Sequence, residues 1–212
     1  MKNNAKRIAQ YLLQIKAIKL QPSNPFTWAS GWKSPIYCDN RKTLSFPEVR
    51  SFICDSFVSL VQDLYPGAEV IAGVATGAIA HGALVAGKLG LPFIYVRSGA
   101  KEHGLGNQIE GYFEEGQKVV VIEDLISTGG SSLGAVKALR EAGTEVLGMA
   151  AIFTYEFGKA SDAFEAENCS LSTLSNYSVL IETAAESGYI SAQDITTLSE
   201  WRRNPSEWGK NN

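Results

Sequence analysis

The sequence predicts an α/β fold: a mostly parallel five-stranded sheet with helices on both faces, plus a small hood from about residues 1–44 to which the C-terminal segment could add. Three observations carry this. Apolar runs at 70–74, 92–96, 118–122 and 145–153 alternate with stretches of helical apolar spacing, the order expected of parallel strands joined by crossover helices. The runs are apolar almost throughout, as strands covered on both faces must be. Gly90 and Gly143 stand just past two helical stretches, where a left-handed residue closes a helix.

In chain order, residues 5–20 set Ile8, Tyr11, Leu12, Ile15 and Ile18 on one helical stripe. From 21 to 44 the periodicity is lost. Pro22, Pro25, Gly31 and Pro35 punctuate a stretch rich in Ser, Trp and Lys, which predicts a long structured loop or a pair of short strands. Ser45-Phe46-Pro47-Glu48 has the form of a capping box and opens a helix with the stripe Val49, Phe52, Ile53, Leu60, Val61 and Leu64. Then follow a strand at 70–74, a helix at 78–89, a strand at 92–96 and a polar loop at 97–108 containing Gly99, Gly104 and Gly106. Strands at 109–113 and 118–122 join through a turn at Glu114-Glu115-Gly116; a helix at 130–142 and a buried strand at 145–153 come next. The remainder is shorter and mixed, closing with a helix at 191–203. No repeat or linker divides the chain, so residues 1–212 are expected to form one domain.

A net charge of -3 argues against a broad basic face for nucleic acid, while leaving room for a small anionic substrate held by a few local cations. Cys38, Cys54 and Cys169 are far apart with no CxxC pair, which reads as reduced thiols of a cytoplasmic protein. The basic N-terminus lacks the apolar core of a signal peptide, and no apolar run reaches bilayer length, so no membrane partner is expected.

The chemistry concentrates in Val119-Val120-Val121-Ile122-Glu123-Asp124-Leu125-Ile126-Ser127-Thr128-Gly129-Gly130-Ser131-Ser132. A β-branched strand ends in two carboxylates, and a hydroxyl- and glycine-rich turn then opens a helix. Ligands of open α/β sheets bind beyond the carboxyl ends of strands. Glycines let successive N–H groups converge on an anion, and the helix N-terminus adds a favourable dipole. Residues 128–132 therefore form a phosphate cradle, though not a Walker loop, since GxxxxGK[ST] is absent. The acids beside it would repel phosphate unless ribose hydroxyls or Mg²⁺ lie between. A plain strand cap followed by a plain helix cap is the bland alternative, and the consecutive register of strand, acids and cradle outweighs it. His81 and the tryptophans read as packing residues, although Trp28 and Trp32 could line a base pocket or a subunit contact.

This segment resembles the PRPP-binding signature of type I phosphoribosyltransferases (PRPP, phosphoribosyl pyrophosphate). Three further segments resemble the orotate phosphoribosyltransferase family: Phe26-Thr27 with Ser30-Gly31-Trp32-Lys33-Ser34-Pro35, then Gly73-Val74-Ala75-Thr76-Gly77-Ala78, then Arg97 with Lys101-Glu102-His103-Gly104. The resemblance implies transfer of the ribose 5-phosphate of PRPP to orotate, giving orotidine 5′-monophosphate and pyrophosphate in de novo UMP (pyrimidine) biosynthesis. It also implies Lys101, His103 and Asp124 as catalytic residues. PRPP would be held by Arg97, Lys101, His103, Glu123, Asp124, Leu125, Ile126, Ser127, Thr128, Gly129, Gly130 and Ser131, and orotate by Ser127, Lys33 and Tyr37. Mg²⁺ would be held mainly through PRPP and water near Glu123 and Asp124, with no direct protein ligand. The expected assembly is a homodimer in which residues 97–108 close over the neighbour's site. Some members carry an arginine where Tyr155 stands and a lysine where Ala29 stands, so the orotate carboxylate is expected to rest on backbone N–H groups, Ser127 or the N-terminal segment. A purine phosphoribosyltransferase shares the cradle, but residues 30–35 speak against it. A PRPP-sensing regulator of the same fold would need a nucleic-acid face that the charge does not offer.

Overall fold

The computed structural model describes residues 2–97, 99 and 108–209. The N-terminal part comprises α1 (Lys2–Gln14), β1 (Ile18–Leu20), β2 (Phe26–Thr27), β3 (Lys33–Ser34), β4 (Ile36–Cys38), a 3-10 turn (Asn40–Ser45) and α2 (Pro47–Leu64). The body follows with β5 (Val70–Val74), α3 (Ile79–Leu89), β6 (Phe93–Val96), β7 (Ile109–Glu110), β8 (Lys118–Ile126), α4 (Gly130–Glu141) and β9 (Glu145–Thr154). It ends with α5 (Gly158–Ala166), β10 (Leu171–Asn176), α6 (Tyr177–Glu186) and α7 (Ala192–Arg203). The main sheet has the order β10-β9-β8-β5-β6-β7, parallel throughout except for β7 on β6.

Alternation along the strands divides the core. Ile71, Val120, Ile122, Ala150 and Ile152 face one way, against Ile8 and Leu12 of α1, Phe57 of α2, Val85 of α3, Leu180 of α6 and Trp201 of α7. Val70, Ala72, Val119, Val121 and Met149 face the other, against Val136 and Leu139 of α4 and Phe164 of α5. Helices on both faces explain why the strands carry no polar alternation.

The sheet has six strands rather than five. The additional one, β10, reads Leu-Ser-Thr-Leu-Ser-Asn and lies at an edge with only Leu174 and Ser175 buried, so it never needed a continuous apolar run. The first helix ends at Gln14, not near residue 20. Lys16 takes a left-handed φ of 55°, the chain reverses, and Ile18 starts β1, pairing with Cys38 of β4. No capping box forms at α2. Phe46 is its N-cap without a side-chain bond, and Glu48 instead accepts a hydrogen bond from the Tyr11 hydroxyl at 2.6 Å. The helix ends at Gly90 (φ 70°) and Gly143 (φ 86°) are as expected. α1 packs on elements far along the chain: the Ser175 hydroxyl of β10 donates to the Ala5 carbonyl of α1 at 2.9 Å, and Lys6 pairs with Glu186 of α6. No helix among the described residues is long and apolar enough to cross a membrane.

Residues 18–45 form the hood, two small antiparallel pairs (β1 with β4, β2 with β3) and the 3-10 turn. Trp28 anchors it. Its indole N–H donates to the Ile36 carbonyl at 3.0 Å, and its ring meets Tyr155 at 5.2 Å and Trp201 of α7 at 5.7 Å.

Candidate active site

β5 and β8 are parallel neighbours, so their carboxyl ends open at the same sheet edge. A cavity of about 500 Å³ lies there between three walls. One is the end of β8 with the following turn: Glu123, Asp124, Leu125 and Ser127 through Ser132. The second is the turn after β5, Val74 through Gly77, in which the Ala75–Thr76 peptide is cis. The third belongs to the hood: Cys38, Asp39 and Arg41.

Two glycines of these walls matter to the site, for different reasons. Gly129 caps α4 with φ 84°, and a Cβ there would stand 3.0 Å from the Phe164 ring. A Cβ on Gly77 would stand 2.4 Å from the Asp124 carboxylate, so the bare α-carbon of the second wall is what leaves that carboxylate in its place.

The two acids have different surroundings. Glu123 is buried; one carboxylate oxygen accepts from the Ser132 hydroxyl and the other from the Asp124 N–H, both at 2.8 Å. It thus ties the strand end to the cradle helix. Burial, reinforced by the Asp124 charge, pushes its pKa up to about 8. Burial also raises Asp124, while hydrogen bonding to Glu123 and the Arg41 charge pull it down. At neutral pH the pair therefore carries less than two full negative charges.

The hood is bolted to this edge at two places. The Asn40 side chain donates to the Asp124 carbonyl at 2.5 Å, and the Thr43 hydroxyl lies 3.0 Å from His81 Nε2 on α3. His81 is buried as a packing residue, and desolvation lowers its pKa to about 4. Burial pushes the Cys38 thiol well up, with Asp124 acting the same way, so the thiol stays protonated.

The cavity thus unites Glu123, Asp124, Leu125, Ser127, Thr128, Gly129, Gly130 and Ser131. Other expected residues stand elsewhere. Ile126 is fully buried in the core, although its strand passes the cavity. Arg97 lies at the end of β6, 3.6 Å from Glu110, and does not line the cavity. Lys33 donates to the Thr27 hydroxyl at 2.9 Å, and the half-exposed Tyr37 packs on Phe26; neither lines the cavity. Tyr155 is 2% exposed and enclosed by Trp28, Phe153, Phe157 and Trp201. Lys101 and His103 lie outside the described residues. Sequence reasoning passed over Asp39, Asn40 and Arg41, whose one signal was a run of polar side chains directly after the short hood strands.

Comparison with known proteins agrees with this geometry. The family model of the phosphoribosyl transferase domain matches residues 57–185. The orotate phosphoribosyltransferase of Porphyromonas gingivalis is 57% identical over 209 residues, covering 99% of this chain and all of that one. That of Listeria innocua is 58% identical over 205 residues, covering 97% of this chain and 98% of that one. Among solved structures, orotate phosphoribosyltransferase from Aeropyrum pernix superposes with a TM-score of 0.76 at 26% identity, over 87% of this chain and 99% of that one. The Mycobacterium tuberculosis enzyme in complex with PRPP gives 0.66 at 25% identity, over 84% of this chain and 98% of that one. With near full-length identity of this order and the strand, acid pair and cradle in one cavity, the chain belongs to the orotate phosphoribosyltransferase family.

Proposed function

We propose that this cavity binds PRPP by its 5′-phosphate and ribose and passes the ribose 5-phosphate to a ring nitrogen of orotate, releasing pyrophosphate. The observation that carries the proposal is the shared wall on which a phosphate cradle and two carboxylates stand side by side. Thr128 through Ser131 surround the 5′-phosphate with backbone N–H groups and hydroxyls at the α4 N-terminus. Asp124 accepts from the ribose hydroxyls, and Glu123 holds the Asp124 backbone and Ser132 in register. Leu125 and Ile126 belong to the strand end beside the sugar, and Ser127 reaches toward the base, with Lys33 and Tyr37 of the hood as the further orotate contacts once substrate is bound. No protein nucleophile is needed. The chain positions the sugar and offsets charge as it builds on the leaving group.

Mg²⁺ suits the oxygen donors on these walls. The residues that would stand beside it are Glu123 and Asp124, with the ion held mainly through PRPP and water. Its chemistry there is to neutralise the leaving pyrophosphate. The three free cysteines suit a cytoplasmic setting.

Arg97, Lys101 and His103 would take the pyrophosphate, from a neighbouring subunit of a homodimer. Arg97 stands outside its own chain's cavity, which favours service to a partner. Lys101→Ala and Asp124→Asn, each inactive alone, can be mixed under conditions of subunit exchange. Half of the dimers would then hold one intact site, restoring roughly a quarter of wild-type activity. A mixture that stays dead after confirmed exchange rules out the shared site.

The function itself is tested by following orotate consumption with PRPP and Mg²⁺, with adenine, guanine and hypoxanthine as rival acceptors. Turnover of a purine but not of orotate would overturn the proposal.

A further inference from the structure

We propose that Arg41 binds an oxyanion at the reacting end of the substrates, a pyrophosphate oxygen of PRPP or the carboxylate of orotate; this rests on the function proposed above. Among the described residues lining the cavity, Asp39, Glu123 and Asp124 are acidic and Arg41 alone is cationic. Both substrates bring negative charge to the region away from the phosphate cradle. The turn after β5 that forms the facing wall, Val74 through Gly77, contributes no cation.

The geometry presents Arg41 for such a contact. Its Nε donates to an Asp39 carboxylate oxygen at 2.7 Å, which fixes the guanidinium while leaving the two terminal amino groups to a ligand. That remaining fork matches two oxygens of a carboxylate or phosphate. The side chain is 62% exposed, so it is not a packing element. Its mount, by contrast, is rigid. Asn40 and Thr43, on either side, are 1% and 0% exposed and are the two residues that bolt the hood to Asp124 and His81. An open cation on a fixed backbone is how a binding residue is held ready before its ligand arrives.

The test uses the full chain with Arg41→Ala and Arg41→Lys. It measures KM and kcat for orotate and for PRPP, the turnover of uracil as an acceptor without a carboxylate, and the melting temperature. Charge-assisted hydrogen bonds of this kind predict a fall in kcat/KM of about 10- to 100-fold for Arg41→Ala, partly restored in Arg41→Lys, with melting unchanged. A rise in KM for PRPP, with uracil turnover falling in parallel, assigns the contact to pyrophosphate. A rise in KM for orotate with uracil turnover unaffected assigns it to the carboxylate. Unchanged constants in Arg41→Ala, or a fall in kcat that tracks a lower melting temperature at unchanged KM, overturn the inference and leave the proposed function standing. A wild-type chain that does not turn over orotate at all overturns the proposed function, and this inference with it.

Discussion

Gly77→Ala adds one methyl group and separates catalysis from folding. The new Cβ would lie 2.4 Å from two atoms of the Asp124 carboxylate and 2.6 Å from the third. Closest tolerated contacts begin near 3.0–3.4 Å, so the carboxylate must retreat by roughly 0.6–1.0 Å, a displacement of the size that can cost about 10²-fold in rate. The fold has an easy escape, because Gly77 has no positive φ and the colliding group is the end of a side chain. We therefore expect kcat/KM to fall by about 10²-fold, approaching the roughly 10²–10³ expected of Asp124→Asn, while the melting temperature stays within a few degrees of wild type. Gly148→Ala is the control. Its Cβ would meet the Tyr65 ring at 2.8 Å and its hydroxyl at 2.5 Å, far from the cavity. Overpacking there should cost about 1–3 kcal/mol and several degrees of melting temperature while sparing kcat/KM. Steady-state kinetics and thermal melts of both variants decide the matter. A Gly77→Ala enzyme with near wild-type kcat/KM would refute the role given to the position of Asp124.

Glu123 keeps its proton up to about pH 8 in the folded chain, against an ordinary value of 4.5. Its contribution to stability is thus complete below about pH 4.5 and lost as pH rises toward 8, by on the order of a few kcal/mol, and Glu123→Gln should flatten that limb of a stability–pH curve. His81 has the opposite sign: its pKa is lowered from 6.5 to about 4, so its contribution is present above pH 6.5 and lost as pH falls through that window. Denaturant melts across pH should therefore show His81→Gln losing the acid limb alone; an unchanged acid limb would assign it to other groups. Tyr155→Phe should raise the orotate KM by less than about tenfold, whereas Tyr155→Ala should cost about 3–5 kcal/mol of stability by opening the aromatic cluster. A larger KM effect of Tyr155→Phe would make its hydroxyl a ligand.

The sheet's centre and the cradle were legible because their rules are local. Val119 through Ile122 are apolar without interruption, and Gly90 and Gly143 mark helix ends because glycine takes the left-handed conformation there at little cost. β10 escaped because an edge strand needs no apolar run, and the first helix was overextended because Ile15 and Ile18 prolong its stripe past the reversal at Lys16. The site was legible along one strand and not across the hood. Asn40 reaches Asp124 across 84 residues of chain, and no spacing within the hood announces that contact. Position also proved easier to read than direction: Ile126 belongs to the right segment, yet its side chain turns into the core.

The packing of α1 on β10 and α6 sets an order of assembly during synthesis. α1 is made long before the elements that give it most of its cover, β10 and α6, with Ser175 bonded to Ala5 and Glu186 to Lys6. At typical elongation rates those partners emerge roughly 10–30 s later. Until then a nascent chain carries Ile8 and Leu12 without their native cover. The central strands can pair in that interval, whereas the first helix must wait for the last third of the chain. A product truncated before β10 would therefore leave Ile8 and Leu12 without that cover.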